Sequence, residues 1–340
     1  MSRAFDVAVV GATGAVGETI LEILAERSFP IRKLYPLASK RSMGNTLLFK
    51  NKPYYVQDLD EFDFSQAQIA LFSAGGSVSA KYVPRATAAG CVVIDNTSHF
   101  RYEADVPLVI SEVNPEAIAD YRERNIIANP NCSTMQMLVA LKPIYDAVGI
   151  VRINVATYQA VSGTGRAAIR ELADQSGKLL NGLKIESHVY PRQIAFNVIP
   201  HIDIFQDNGY TKEEMKMHWE TQKILNDASI AVNATAVRVP VFFGHAEAIH
   251  IETRDKISAE NVKALLAKAP GVVVVDEQMP GGYPTPALEA TGQDAVFVGR
   301  IREDFSHPEG LNLWVVSDNV RKGAALNAVQ IAEILVRDYL

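Results

Sequence analysis

A chain of 340 residues exceeds the size at which one hydrophobic core keeps growing, so two domains are expected. Its composition, 48% hydrophobic and 21% charged with a formal net charge of -6, is that of an ordinary globular protein and argues against a nucleic-acid or anionic-membrane surface. No apolar run suits a transmembrane helix, the first residues lack the layout of a signal peptide, and two cysteines are too few for a disulfide framework or a zinc cluster, so a reducing cytoplasm and no metal are expected.

In chain order, Phe5–Val10 reads as a buried strand, followed by 33–38, 68–74 and 91–95, all short, apolar and bounded by Gly, Ser or Asn. Between the first two, Val16, Ile20, Ile23 and Leu24 recur at helical spacing. Strand, helix, strand in this rhythm predicts an α/β, doubly wound parallel (Rossmann-like) sheet. A further strand at 125–128 leads to a helix carrying Met135, Leu138, Val139 and Leu141, which ends near Gly149. Then the pattern changes. Longer β-branched runs at 152–161, 230–240 and 246–253, joined by helices at 165–180 and 211–225, predict a second α+β domain built on a mainly antiparallel sheet. The tail, 322–340, is again helical, with Ala325, Val329, Ile331, Ile334 and Leu335 as its apolar stripe.

The first strand runs directly into Gly11-Ala-Thr-Gly14-Ala-Val-Gly17 and then a helix. Free backbone N–H groups, a helix N-terminus and residues without side chains make this turn a phosphate site. The spacing is a variant of the usual dinucleotide fingerprint, with Thr13 where a glycine is common. An NAD site would carry a carboxylate at the end of the second strand, but here stands Ala38-Ser39-Lys40-Arg41-Ser42. Arg41 and Ser42 suit a 2′-phosphate, so NADP(H) is the expected coenzyme. Ser73-Ala-Gly-Gly76 offers a second close backbone approach.

Cys132 lies in Asn129-Pro130-Asn131-Cys132-Ser133-Thr134, at or just before a helix N-terminus, where dipole and free amides favour a thiolate. Cys91, heading Cys91-Val-Val-Ile-Asp, reads instead as a small buried hydrophobe. A thiolate nucleophile needs a base. Of the seven histidines, His245 follows Gly244, a break between strand segments that gives it a way into a cleft. Arg238 is seven residues earlier, an odd separation that puts the two on opposite faces of a regular strand. Pro240 and Gly244 permit both in one pocket without requiring it. Arg101, Glu213 and Lys216 read first as surface charges, the last two at the i,i+3 spacing of a helical ion pair. Asn319 reads equally as a helix cap, and Gln159 as a strand-edge polar residue.

Together the segments Val9-Val-Gly-Ala-Thr-Gly-Ala-Val-Gly17, Asn129-Pro-Asn-Cys-Ser133, Gln159 with Val161-Ser-Gly-Thr-Gly165, Arg238 to His245, and Asp318-Asn-Val-Arg-Lys-Gly-Ala-Ala325 resemble the aspartate-semialdehyde dehydrogenase family along the whole chain. The resemblance implies reductive dephosphorylation of L-aspartyl 4-phosphate to L-aspartate 4-semialdehyde, and its reverse, in lysine, threonine and methionine biosynthesis. It implies Cys132 as acyl-thioester nucleophile, His245 as general acid/base and Gln159 as orienting the acyl group. Arg238 would hold the α-carboxylate and Glu213 the amino group. Arg101, Lys216 and Asn131 would bind phosphate. Gly11, Thr13, Gly14, Ala15, Val16, Gly17, Arg41, Ser42, Ser162, Gly163 and Asn319 would meet NADP, with Gln330 near the nicotinamide. A homodimer is implied, with an NADP-binding domain at 1–131, joined by the closing helix 321–340, and a catalytic and dimerisation domain at 132–320. No nucleic-acid or membrane partner is expected.

Three rivals remain at this stage. N-acetyl-glutamyl-phosphate reductase would share the thiol and nucleotide chemistry. A non-catalytic paralogue has no reason to keep both Cys132 and His245. An RNA-binding dehydrogenase fold would need a basic, aromatic-interleaved stripe that is absent from the sequence.

Overall fold

The structure, a computed structural model, describes residues 3–340. In chain order its elements begin with β1 (Phe5–Val10), α1 (Ala15–Glu26), β2 (Ile31–Ala38), β3 (Thr46–Phe49), β4 (Lys52–Tyr55), β5 (Gln57–Asp58), β6 (Ile69–Phe72), α2 (Gly76–Ala88), β7 (Val92–Asp95) and β8 (Ile126–Ala128). There follow α3 (Cys132–Val148), β9 (Ile150–Gln159), α4 (Arg166–Leu180), α5 (Lys212–Leu225), β10 (Ala231–Arg238) and β11 (His245–Thr253). The chain closes with α6 (Ala259–Leu266), β12 (Val272–Val274), β13 (Val296–Glu303), β14 (Gly310–Ser317) and α7 (Asn327–Asp338). Two compact units result: the chain up to Pro130 together with Ala324–Leu340, and Asn131–Gly323.

The first unit is a parallel sheet in the order β5-β2-β1-β6-β7-β8. All six residues of β1 are buried, which is why Phe-Asp-Val-Ala-Val-Val reads as a continuous run: a parallel strand is covered on both faces. Strand order reverses between β1 and β6, so the carboxyl ends of β1, β2 and β6 open a crevice, the usual nucleotide position. The helix α7 belongs to this unit. Its Val329, Ile331 and Leu335 share a core with Val7, Ile20 and Leu24.

The second unit is a six-stranded sheet in the order β10-β9-β11-β14-β13-β12. Its three inner pairings run antiparallel, while the outer strands β10 and β12 pair in parallel. The helix α3 packs over β11 and β14, and α5 over β10.

Several expectations shift. The strand expected over 152–161 stops at Gln159, because the backbone N–H groups of Val161 and Ser162 turn away to the carbonyls of Val241 and Phe242. The run expected to reach Pro240 stops at Arg238. The closing helix starts as a wide turn over Arg321–Leu326 before becoming α-helical. The strands β13 and β14 escape the periodicity argument, since β13 is broken by a register shift between Gly299 and Arg302, with Arg300 at φ 54°.

Candidate active site

The glycine turn is built for close approach. Gly11 has φ 86°, which favours glycine, and a Cβ at Gly17 would collide with the Gly11 carbonyl. Gly14 caps α1, whose first residues are Ala15 and Val16. Gly11, Thr13, Gly14, Arg41 and Ser42 line one cavity of about 430 Å³, closed by Ala74 and Tyr82. A phosphate-bearing dinucleotide fits this donor set: backbone amides at a helix start, a hydroxyl and a guanidinium. Asp60 also reaches the cavity, a carboxylate that inspection of the second strand end does not find. It accepts hydrogen bonds from Lys81 at 2.8 Å and from the Tyr82 hydroxyl, and Lys81 holds its carboxyl below the usual range. Elsewhere in this unit Arg101, buried rather than a surface charge, donates to the Asn96 carbonyl at 2.9 Å. Gln330 accepts from Ser111 Oγ and donates to Glu112 Oε1, each at 3.0 Å.

In the second unit Cys132 is the first residue of α3 and is partly exposed. Asn131 caps that helix: its Oδ1 accepts from Ser133 and Thr134 N–H, its own N–H donates to Glu220 Oε2 at 2.6 Å, and its Nδ2 donates to Glu213 Oε1 at 2.9 Å. The nucleophile's helix end is thereby tied to α5. Behind it, a Cβ on Gly323 would lie 2.6 Å from Cys132 Cβ, so only glycine leaves the thiol its place. Cys91 is fully buried and its thiol is pushed up to about 12 by burial.

Strand register explains how Arg238 and His245 meet. Arg238 lies opposite Gln159, and His245 opposite Ser317. The Ala246–Tyr158 pairing sets His245 across from Gln159 as well. Arg238, Gln159, His245 and Ser317 thus form one row across β10, β9, β11 and β14. The odd separation is resolved because the two residues occupy different strands, joined by the 239–244 break. Gln159 is interior to the sheet and buried, not at an edge. Arg238 Nη1 donates to the Ala160 carbonyl at 2.6 Å, and a Cβ on Gly163 would lie 3.0 Å from Nη1 and 3.4 Å from the His245 ring. Asn319 is no helix cap: its Oδ1 accepts from Ser162 Oγ at 3.0 Å and from Gly244 N–H at 2.9 Å, which fixes the residue before His245.

Electrostatics separate the site's groups. The Glu213 carboxylate accepts from Lys216 at 2.8 Å, Asn131 at 2.9 Å and Gln159 at 3.1 Å. Burial alone would raise its pKa, but the Lys216 cation and these three bonds prevail and hold it at about 2. Burial would lower the pKa of Lys216, and Glu213 and Asp203 outweigh it, so the lysine stays charged. Neither is the surface charge that sequence alone suggested: both are buried. Burial, aided by the Arg238 cation, lowers His245 to about 3, so the ring is neutral at neutral pH. Its Nδ1 accepts from Ala160 N–H at 3.0 Å, and the Gly244 backbone works weakly against the lowering. Its Nε2 lies 3.4 Å from the Gln159 amide.

The site therefore gathers Asn131, Gln159, Glu213, Lys216, Arg238 and His245 in one unit, with Ser162, Gly163 and Asn319 around them. Sequence reading missed Asp203, a second carboxylate 2.8 Å from Lys216, and Glu220. Glu220 had a signal: Glu213, Lys216 and Glu220 repeat at three and four residues along α5, a polar stripe where an apolar one normally packs.

Comparison with known proteins agrees with this architecture. Residues 6–121 match the semialdehyde dehydrogenase NAD binding domain, and residues 141–322 the semialdehyde dehydrogenase dimerisation domain. The aspartate-semialdehyde dehydrogenase of Shewanella sp. (strain DB6705) is 67% identical over 100% of both chains. The crystal structure of aspartate semialdehyde dehydrogenase II from Vibrio cholerae complexed with ASA superposes with a TM-score of 0.98, at 64% identity over 100% of each chain. The Candida albicans enzyme with NADP gives 0.76 at 27% identity, over 98% of each. Full-length likeness of this degree, on the same two-unit fold, means that the chain belongs to the aspartate-semialdehyde dehydrogenase family.

Proposed function

We propose that this chain interconverts L-aspartyl 4-phosphate and L-aspartate 4-semialdehyde with NADP(H), through an acyl-thioester on Cys132, as a homodimer in amino-acid biosynthesis. The observation that carries the reading is Glu213, a buried carboxylate joined at once to the cap of the Cys132 helix, to Gln159 and to Lys216. Such a hub suits a substrate with an ammonium and a carboxylate at one end and a phosphate at the other. NADP in preference to NAD rests on Arg41 and Ser42 in the cavity, and dimerisation on the match to a dimerisation domain.

In the biosynthetic direction the Cys132 thiolate attacks the acyl phosphate carbonyl; the C–S bond forms and the C–O bond to phosphate breaks. Lys216 and Asn131, with Arg101, bind the departing phosphate, and Arg238 pairs with the α-carboxylate. The coenzyme, when bound, supplies the hydride that reduces the thioester, or takes it in reverse. His245 takes or gives a proton at Nε2 as the tetrahedral oxygen gains or loses charge, and Gln159 holds the acyl group beside it. The thiolate then leaves.

The test is NADP reduction with L-aspartate semialdehyde, with and without phosphate, beside N-acetyl-glutamate semialdehyde. Turnover should require phosphate and favour the free amino acid, whose ammonium can meet Glu213; the opposite preference hands the site to the reductase. Cys132→Ser should keep coenzyme binding and lose turnover, and iodoacetamide should label Cys132 well ahead of Cys91. Retained activity in that variant, or equal labelling of the native protein, removes the thioester.

A further inference from the structure

Behind the row of Arg238, Gln159, His245 and Ser317 lies a second row, Ala236, Thr157, Glu247 and Val315, on the same face of the same strands. Glu247 is fully buried two residues along β11 from His245, and neither carboxylate oxygen has a hydrogen-bond partner among the described residues. Above it, α3 presents Gln136, 1% exposed, with neither amide atom bonded. Gln136 is one helical turn from Cys132, on the same side of α3. Gln136 and Glu247 thus lie one helical turn and two strand residues away from Cys132 and His245, on the same two elements α3 and β11.

Among the described residues, only an amide offsets the burial of this carboxylate. Its register partners are Thr157 and Val315, and Thr157 is already committed, donating to Gln159 Oε1 at 3.0 Å. The nearest titratable groups on its own strand and on the helix above are His245 and Cys132. Burial pushes the Glu247 carboxyl well above the usual range, and only the Gln136 amide works the other way. An isolated carboxylate in such a place is far more costly than the acid form, which can donate a proton to an amide oxygen.

We propose that Glu247 is a positioning residue for this reaction: as a neutral carboxylic acid beneath α3 it engages Gln136 and so sets the seat of the helix that presents Cys132 to His245. The proposal rests on the catalytic reading above and adds to it a residue that touches neither substrate nor coenzyme.

Three variants and two readouts independent of dehydrogenase activity test it on the full-length protein. Infrared difference spectra of the native enzyme should contain a protonated-carboxyl stretch that Glu247→Gln removes. The Gln variant, a neutral isostere of the acid, should keep kcat within about threefold of the native value, whereas Glu247→Leu and Gln136→Leu should each lower it by roughly tenfold or more, with the KM for phosphate and for NADP little changed. The pH profile of Cys132 alkylation should move to higher pH in the Leu variants and stay in place in the Gln variant, because a displaced helix end stabilises the thiolate less. Absence of the infrared band, a Gln variant as impaired as Glu247→Leu, or Leu variants with native kcat and alkylation profile would each overturn the proposal. If Glu247→Leu does not fold, the spectrum, the Gln variant and Gln136→Leu still decide. Native protein without any dehydrogenase activity would instead defeat the catalytic reading, while the spectrum and alkylation profile would still report on Glu247.

Discussion

Two carboxylates of the second unit, Glu213 and Glu247, are held in opposite states although both are buried. Glu213 lies among Lys216, Asn131 and Gln159 and is ionised; Glu247 has only an amide nearby and is not. Burial is therefore not what decides charge here. The partner set is, and it follows from where each residue sits. Glu213 and Lys216 stand three residues apart on α5 itself, and the cap of α3 adds the Asn131 amide, whereas Glu247, on β11, meets only an uncharged amide from α3. On the proposed mechanism the ionised member meets the substrate and the neutral one the scaffold.

The contrast can be broken most forcefully from the paired side. Lys216→Met leaves Glu213 as a buried charge without its main cation and should lower unfolding stability by about 3–5 kcal/mol, read from denaturant titration. Adding Glu213→Gln to that variant should recover much of the loss; a single variant as stable as the native chain would mean that the pair is not what keeps Glu213 ionised. At the substrate level, Lys216→Ala should raise the KM for phosphate roughly ten- to hundredfold and that for semialdehyde much less, while Arg238→Ala should do the reverse and also lower kcat. Exchange of these two patterns would mean that the two ends of the site are assigned backwards.

Proton linkage sharpens the same contrast in both directions. Glu213 titrates at about 2 in the folded chain against an ordinary 4.5, so its contribution is present above the ordinary value and is lost as pH falls through about 2. His245, at about 3 against 6.5, adds a loss of the same sign as pH falls below its ordinary value. Glu247 has the opposite sign: its contribution is whole below the ordinary carboxylate value and wanes as pH rises toward its raised one. Stability of Glu247→Gln relative to the native protein should therefore grow with pH, and a constant difference across the range would contradict the neutral acid. The smallest expected effect lies in the other unit. Arg41→Ala should raise the KM for NADP roughly tenfold and leave NAD nearly alone, and equal damage to both would make Arg41 structural.

What the sequence revealed of this arrangement was its local part. The glycine turn after β1 and the position of Cys132 at the start of α3 are legible because strand, turn and helix N-terminus are contiguous in the chain. The likeness to a family supplied Glu213, Lys216 and Arg101, whose residue types alone suggested surface charge. Glu247, Gln136 and Asp203 had no signal of either kind. One of two acids in β11 and a single glutamine in α3 look like ordinary interruptions until the packing of α3 over β11 and β14 brings them together. The strands β12 to β14 were missed for a related reason: their pairing depends on a bulge and a positive φ at Arg300, which leave no alternation to count.

The row of Arg238, Gln159, His245 and Ser317 has a consequence for refolding. A strand displaced by one residue against its neighbour turns every side chain to the opposite face. If β11 slipped in this way, Ala246 would take the place of His245 beside Gln159, and Glu247 would leave the space below α3. Such a molecule would keep much of its secondary structure and still have neither His245 nor Glu247 in its place. Recovered turnover after denaturation thus counts the chains whose four strands have found their alignment, and enzyme assay becomes a measure of pairing fidelity that circular dichroism cannot provide.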